Sequence, residues 1–204
     1  MNKTVRRQHV PVWMYLLVTV GMELLWIPVI WRKNTGLFKE RLHPGPGAKD
    51  SLCSVFLFYL PPWLGHYAVA WLDRTRLHRS DRVPPVAQIF GLVGVAVSTA
   101  IALWAMTVNP FFSSVVRIQR DRGQHVISSG PYHYVRHPGY ASGMAMAVFS
   151  PLALGSWLSL IPAALSLPFV LRRVILEDKV LHDELEGYKD YAKSVRHRIV
   201  PGVW

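Results

Sequence analysis

The sequence predicts an all-α, polytopic membrane protein with about five transmembrane helices. Three apolar runs, residues 12–31, 52–72 and 86–108, each meet or exceed the ~20 residues that a helix needs to cross hydrocarbon. A fourth run, residues 141–171, is too long for one straight span, and Gly155-Ser156 interrupts it between Pro151 and Pro162, as in a helical hairpin. Only 17% of the 204 residues are charged and 51% are hydrophobic, whereas soluble domains carry about a quarter charged residues.

The elements follow in order. The first run exceeds the apolar core of a signal peptide and has no cleavage pattern after it, so it reads as a span. Glu23 lies inside it. An ionisable group in a span either bonds a neighbouring helix or marks a functional site. His43-Pro44-Gly45-Pro46-Gly47 makes the first loop turn-rich. The second run carries Pro61-Pro62, where a helix donor is missing and a kink is expected, and a second buried ionisable candidate, His66. Asn109-Pro110 ends the third, because the residue before a proline is steered away from helical angles. Residues 111–117 read as interfacial, Arg120-Asp121-Arg122-Gly123 as a turn and Val126-Ile127 as a short apolar stretch. Each hairpin arm has about 15 residues, or ~23 Å of helix. The second arm runs on through Glu177, Leu181 and Leu185 to about Gly187, and residues 195–204 form a basic-apolar tail folded back on the membrane surface. The chain thus divides into three N-terminal spans (1–109) and a denser C-terminal region (110–204), without internal repeats.

The formal net charge of +11 is scattered over every loop and forms no basic helix face, which argues against nucleic acid and for anchoring at lipid headgroups. With five spans, sixteen Lys and Arg fall on the side of the first and third loops and the tail, and the remaining seven on the other. The positive-inside rule then puts the third loop and tail in the cytoplasm, although the Arg-dense second loop (Arg74, Arg76, Arg79, Arg82) opposes it. Cys53 is the sole cysteine, so no internal disulfide forms. The final Pro-Gly-Val-Trp is not a prenylation signal. Compact size without targeting signals suits a bacterial inner membrane.

The chemistry concentrates in residues 130–140. Gly130-Pro131 and Pro138-Gly139 form two corners that hold Tyr132 through His137 on a short element. Arg136 and His137 offer donors to a carboxylate, and Tyr132 and Tyr140 offer ring faces or hydroxyls to a cationic or nucleoside ligand. Interfacial anchoring explains single Tyr or Arg residues, but not this density. About thirty residues on, Arg173 and Glu177 are four apart, on one helix face, with Asp178 beside them. A helix salt bridge is the plain alternative, but Arg before Glu is the less favourable order. Arg173 suits an anionic substrate group in bidentate fashion, and Glu177 an amino or hydroxyl group.

Gln119, the segment from His125 to Ile127, Gly130-Pro131-Tyr132, Arg136-His137-Pro138-x-Tyr140, Arg173-x-x-x-Glu177-Asp178 and Tyr188-x-x-Tyr191 together resemble the isoprenylcysteine carboxyl methyltransferase family. The wider group of integral-membrane methyltransferases includes phospholipid N-methyltransferases. The resemblance covers nearly half the chain. It implies S-adenosylmethionine-dependent methyl transfer at the cytoplasmic membrane face. Gln119, His125, Val126, Ile127, Tyr132, Arg136, His137, Pro138 and Tyr140 would surround the cofactor, and Arg173 and Glu177 would be the catalytic pair at the methyl-accepting end. The loop after Gln119 is shorter than in eukaryotic relatives. The implied acceptor is lipophilic, such as a prenylcysteine-like carboxylate; a phospholipid amine or a thiol is the alternative. No metal is implied. An NADPH-dependent membrane reductase and a non-catalytic membrane scaffold or carrier are the competing classes.

Overall fold

The computed structural model describes residues 10–50, 60–80 and 83–204, and among these the secondary structure is helical throughout. Helix α1 (Val12–Lys33) is followed by the short α2 (Thr35–Leu42), by α3 (Leu60–Leu72) and by a π-helical turn (Asp73–Leu77). Helix α4 (Pro85–Val108) starts with proline at a position where its missing N–H costs nothing, and it stops at Asn109-Pro110 as expected. A long connection carries two 3₁₀ turns, Arg120–Arg122 and Gly130–His133, before α5 (Pro138–Ala153). Then come α6 (Leu160–Leu165), α7 (Leu167–Glu184) and α8 (Tyr188–Ser194).

The hairpin turns where the Gly-Ser pair stands: α5 ends at Ala153, and Gly155 adopts φ +70°, a left-handed angle that suits glycine. Its second arm is broken at Ser166 into α6 and α7, with Pro168 in the first turn of α7. Pro61-Pro62 falls in the first turn of α3 as described; the earlier part of the expected second span, with Cys53, lies outside the described residues.

Helices α4 and α5 form the central pair and α1 packs beside α4. Tyr15, Ala70, Val95, Ala153 and Leu154 share one buried cluster. Helices α1 and α4 are long and apolar enough to cross a membrane. Their outward faces are apolar too: Leu25 and Val86 are 75% and 76% exposed. So large an unpartnered apolar surface is at home in hydrocarbon. His66 is buried and bonds the Ser150 hydroxyl of α5 at 2.8 Å, while Glu23 stands on the exposed face of α1.

Candidate active site

The connection from α4 to α5 is pinned at both ends. Asn109, the residue that caps α4, uses its carboxamide twice: Nδ2 donates to the Tyr132 hydroxyl at 2.9 Å, and Oδ1 accepts from the Phe111 amide at 2.8 Å. Gly130 sits at φ +60° against Trp104 and Val108, where a side chain would be both strained and crowded. The Tyr191 hydroxyl donates to the Tyr132 carbonyl at 2.6 Å, tying α8 to the same turn.

Asp178 on α7 holds the signature segment from beneath. Its Oδ1 accepts from Arg136 Nε (2.9 Å), His137 Nε2 (3.1 Å) and the Tyr188 hydroxyl (2.9 Å). Its Oδ2 accepts from Arg136 Nη2 (3.2 Å) and Arg198 Nε (2.8 Å). Burial alone would raise the Asp178 carboxyl; the hydrogen bonds from His137, Arg136 and Arg198 outweigh it and hold the group far below the usual carboxylate range. Because a carboxylate only accepts, His137 carries a proton on Nε2, and its Nδ1 lies 3.9 Å from Glu177 Oε1. The tail closes the arrangement. The Arg136 and His137 amides donate to the His197 and Arg198 carbonyls at 3.0 and 2.9 Å, and Arg136 Nη1 donates to the carbonyls of Val195 and Arg196. The tail therefore folds onto the signature segment itself.

Above this support lies a cavity of about 360 Å³ between the connection, the start of α5, and α7. His125, Val126, Ile127, Tyr132, Arg136, His137, Pro138 and Tyr140 line it, and so do Arg173 and Glu177. Gln119 does not: it is buried behind the wall, where Nε2 donates to the Phe111 carbonyl at 2.6 Å and Oε1 accepts from Arg122. Arg136 reaches the cavity with its charge already met by Asp178. Arg173 and Glu177 bond other residues instead of each other. Glu177 Oε2 accepts from the Tyr140 hydroxyl at 2.7 Å. Arg173 Nη2 donates to the Ser114 carbonyl, and its buried Nε faces Asp50 Oδ2 at 3.4 Å without a hydrogen-bonding angle.

The first loop supplies part of the wall, which sequence reasoning missed. Arg117 is clamped by Glu40 through two hydrogen bonds (2.9 and 2.8 Å) and by Asp121 at 2.7 Å. Asp50 Oδ1 accepts the Val116 amide at 2.6 Å, and the Ser114 hydroxyl donates to the Arg41 carbonyl at 2.8 Å. Arg41 and Asp50 thereby join the cavity. The only hint in the sequence was the turn-rich first loop, which says nothing about a partner some seventy residues away.

Residues 86–185 match the family model described as phospholipid methyltransferase. Over 86 residues the chain is 30% identical to protein-S-isoprenylcysteine O-methyltransferase of Schizosaccharomyces pombe, a stretch covering 41% of this chain and 36% of that one. Over 108 residues it is 32% identical to the probable protein-S-isoprenylcysteine O-methyltransferases of Oryza sativa, subspecies indica and japonica, covering 52% of this chain and 56% of theirs. Over this region the chain is similar to phospholipid methyltransferases and to protein-S-isoprenylcysteine O-methyltransferases. It spans between about a third and somewhat over half the length of these relatives. The matched region begins within the first turn of α4 and ends at the close of α7, so it contains the connection, the signature and the Arg173–Glu177 face. Arg41, Asp50 and Arg198, by contrast, lie outside the stretch that matches the family model.

Proposed function

We propose that this chain transfers a methyl group from S-adenosylmethionine to the carboxylate of a lipophilic, prenylcysteine-like acceptor at a membrane surface. The observation that supports this most is a single cavity bordered by aromatic and histidine side chains from the connection on one side and by Arg173 and Glu177 on the other. Its volume falls within the ~300–1,000 Å³ of small-molecule sites. Its surfaces also suit the donor: Tyr132, Tyr140 and His125 offer ring faces to a nucleoside and a cationic centre, and Glu177 offers negative charge.

When bound, S-adenosylmethionine supplies an electrophilic methyl on a sulfonium. The residues of the chain have a smaller task. A carboxylate is ionised at neutral pH, so its oxygen attacks without a general base. The new O–C bond forms as the C–S bond breaks, and the anionic and cationic charges cancel. Holding the two groups in line is worth up to ~7–11 kcal/mol. His137, fixed on Nε2 by Asp178, and Tyr140, fixed by Glu177, position the donor side. Arg173 holds the acceptor oxygen that does not react. An amine acceptor, in keeping with the phospholipid methyltransferase description of the matched region, would need Glu177 as base, and Glu177 would first have to release the Tyr140 hydroxyl.

The proposed setting has five spans, with the connection and tail facing the cytoplasm across a bacterial inner membrane. The test is calorimetric binding of S-adenosylmethionine to the detergent-purified full chain, followed by methyl transfer to prenylcysteine, phospholipid and thiol acceptors. Micromolar binding, weakened at least about tenfold by His137→Ala, is expected. A circular-dichroism spectrum and thermal unfolding midpoint of His137→Ala, compared with the wild type, establish that the variant is folded. Binding of NADPH in place of S-adenosylmethionine, or transfer only to water-soluble acceptors, would overturn the proposal.

A further inference from the structure

Among the arginines that line the cavity, the exposed Arg172 and the half-buried Arg41 make no ion pair with the described residues, whereas the others in and around it are matched. Arg117 is held by Glu40 and Asp121, Arg136 and Arg198 by Asp178, and Arg173 faces Asp50. Arg41, on α2, lines the same cavity with its guanidinium over the Phe112 ring at 5.3 Å. Among the described residues no carboxylate lies within ion-pair distance of it, and its side chain makes no hydrogen bond to the protein. Burial, and then the like charge of Arg173, disfavour its charged form. A guanidinium keeps its proton in proteins regardless, so its five donors need an anion. Asp50 faces Arg173, and Glu177 accepts from the Tyr140 hydroxyl, so neither carboxylate pairs with Arg41.

The perch is built for that place. Gly139 of the signature abuts Phe112 so closely that a Cβ there would stand 2.6 Å from Phe112 Cζ. The missing side chain lets the ring lie between the signature and Arg41. The Ser114 hydroxyl holds the Arg41 backbone, and the Ser114 carbonyl accepts from the Arg173 guanidinium, so one residue ties the two arginines together.

We infer that Arg41 is a specificity-determining residue that, together with Arg173, clamps the anionic group of the methyl acceptor. In naming the ligand an acceptor, this rests on the methyl-transfer proposal. The N-terminal half then selects acceptors by charge, from outside the stretch that matches the family. A guanidinium on each side can bind both oxygens of a carboxylate, whereas a neutral amide would leave one donor set unmatched.

The test uses the full chain in nanodiscs and two acceptors, an N-acetyl S-prenyl cysteine and its carboxamide. Affinity is read by quenching of intrinsic tryptophan fluorescence, and KM and kcat by transfer of labelled methyl. Arg41→Ala is expected to weaken carboxylate binding and raise its KM roughly tenfold to a hundredfold. Carboxamide and S-adenosylmethionine binding stay unchanged, and Arg41→Lys restores part of the loss. Equal losses for both acceptors, or no loss, overturn the clamp. So does an effect seen only when phosphatidylglycerol replaces phosphatidylcholine in the nanodisc, which would assign Arg41 to a lipid phosphate. Wild-type protein that prefers carboxylate to carboxamide through Arg41, yet transfers no methyl, would sink the enzymatic proposal and leave the clamp standing. Wild-type protein without that preference would sink the clamp whatever its chemistry.

Discussion

At the scale of single residues, Asp178 carries the most weight. It is buried and meets two guanidiniums, an imidazole N–H and a phenol, so every element around the signature converges on one carboxylate. Its folded pKa lies far below the ordinary 3.8, so its contribution to stability is fully present above about pH 5 and is lost as pH falls further. Unfolding midpoints between pH 3 and 7 should therefore drop on the acid side for the wild type and vary less for Asp178→Asn. An identical acid slope in the two proteins would refute this. Asp178→Ala, which strands the Arg136 guanidinium, should cost about 3–5 kcal/mol, against about 1–2 kcal/mol for Tyr188→Phe, which removes one donor.

At the scale of elements, the contact between α4 and α5 decides where the connection begins and ends. Two glycines make that contact close. A Cβ on Gly91 would stand 2.4 Å from the Ala153 backbone nitrogen, and one on Gly94 would stand 2.2 Å from Phe149 Cγ. Small residues that let helix backbones approach are the usual means of packing in membranes, where no hydrophobic gain drives helices together. Gly91→Ala meets backbone and cannot be relieved by a rotamer change. It should destabilise by about 1–3 kcal/mol and by more than Gly94→Ala, whose obstacle is a ring that can swing. Thermal unfolding of the two variants in detergent checks the order. A milder effect at Gly91 would mean that the helices separate easily.

For the whole molecule, the proposed five spans put the turn after α3 and the helix α8 on opposite faces of the membrane. Arg76 and Lys193 are exposed in these two places. In a background with Cys53 replaced, Lys193→Cys should react with an impermeant maleimide in inverted inner-membrane vesicles, and Arg76→Cys in spheroplasts. Labelling of both from one side would reject the odd number of spans. The reverse pattern would reject the orientation and show that the arginines of the second loop prevailed over the larger count opposite.

The sequence by itself determined the helical class, the end of α4, the hairpin turn and the residues of the signature. Those follow from local causes: apolar run length, the steric effect of a proline on its predecessor, glycine at a left-handed corner, and residue types that repeat at a family's spacing. Tertiary structure alone decided how these parts are used. Arg136 was read as a donor to a ligand carboxylate, and its partner is Asp178, 42 residues away. Arg173 and Glu177 share a helix face but answer to Asp50 and Tyr140. Gln119 stands behind the wall, and Arg41 from the first loop stands in it. Hydrogen bonds between residues forty to eighty positions apart leave no periodicity or spacing in the chain. Only the folded backbone brings their donors and acceptors within reach.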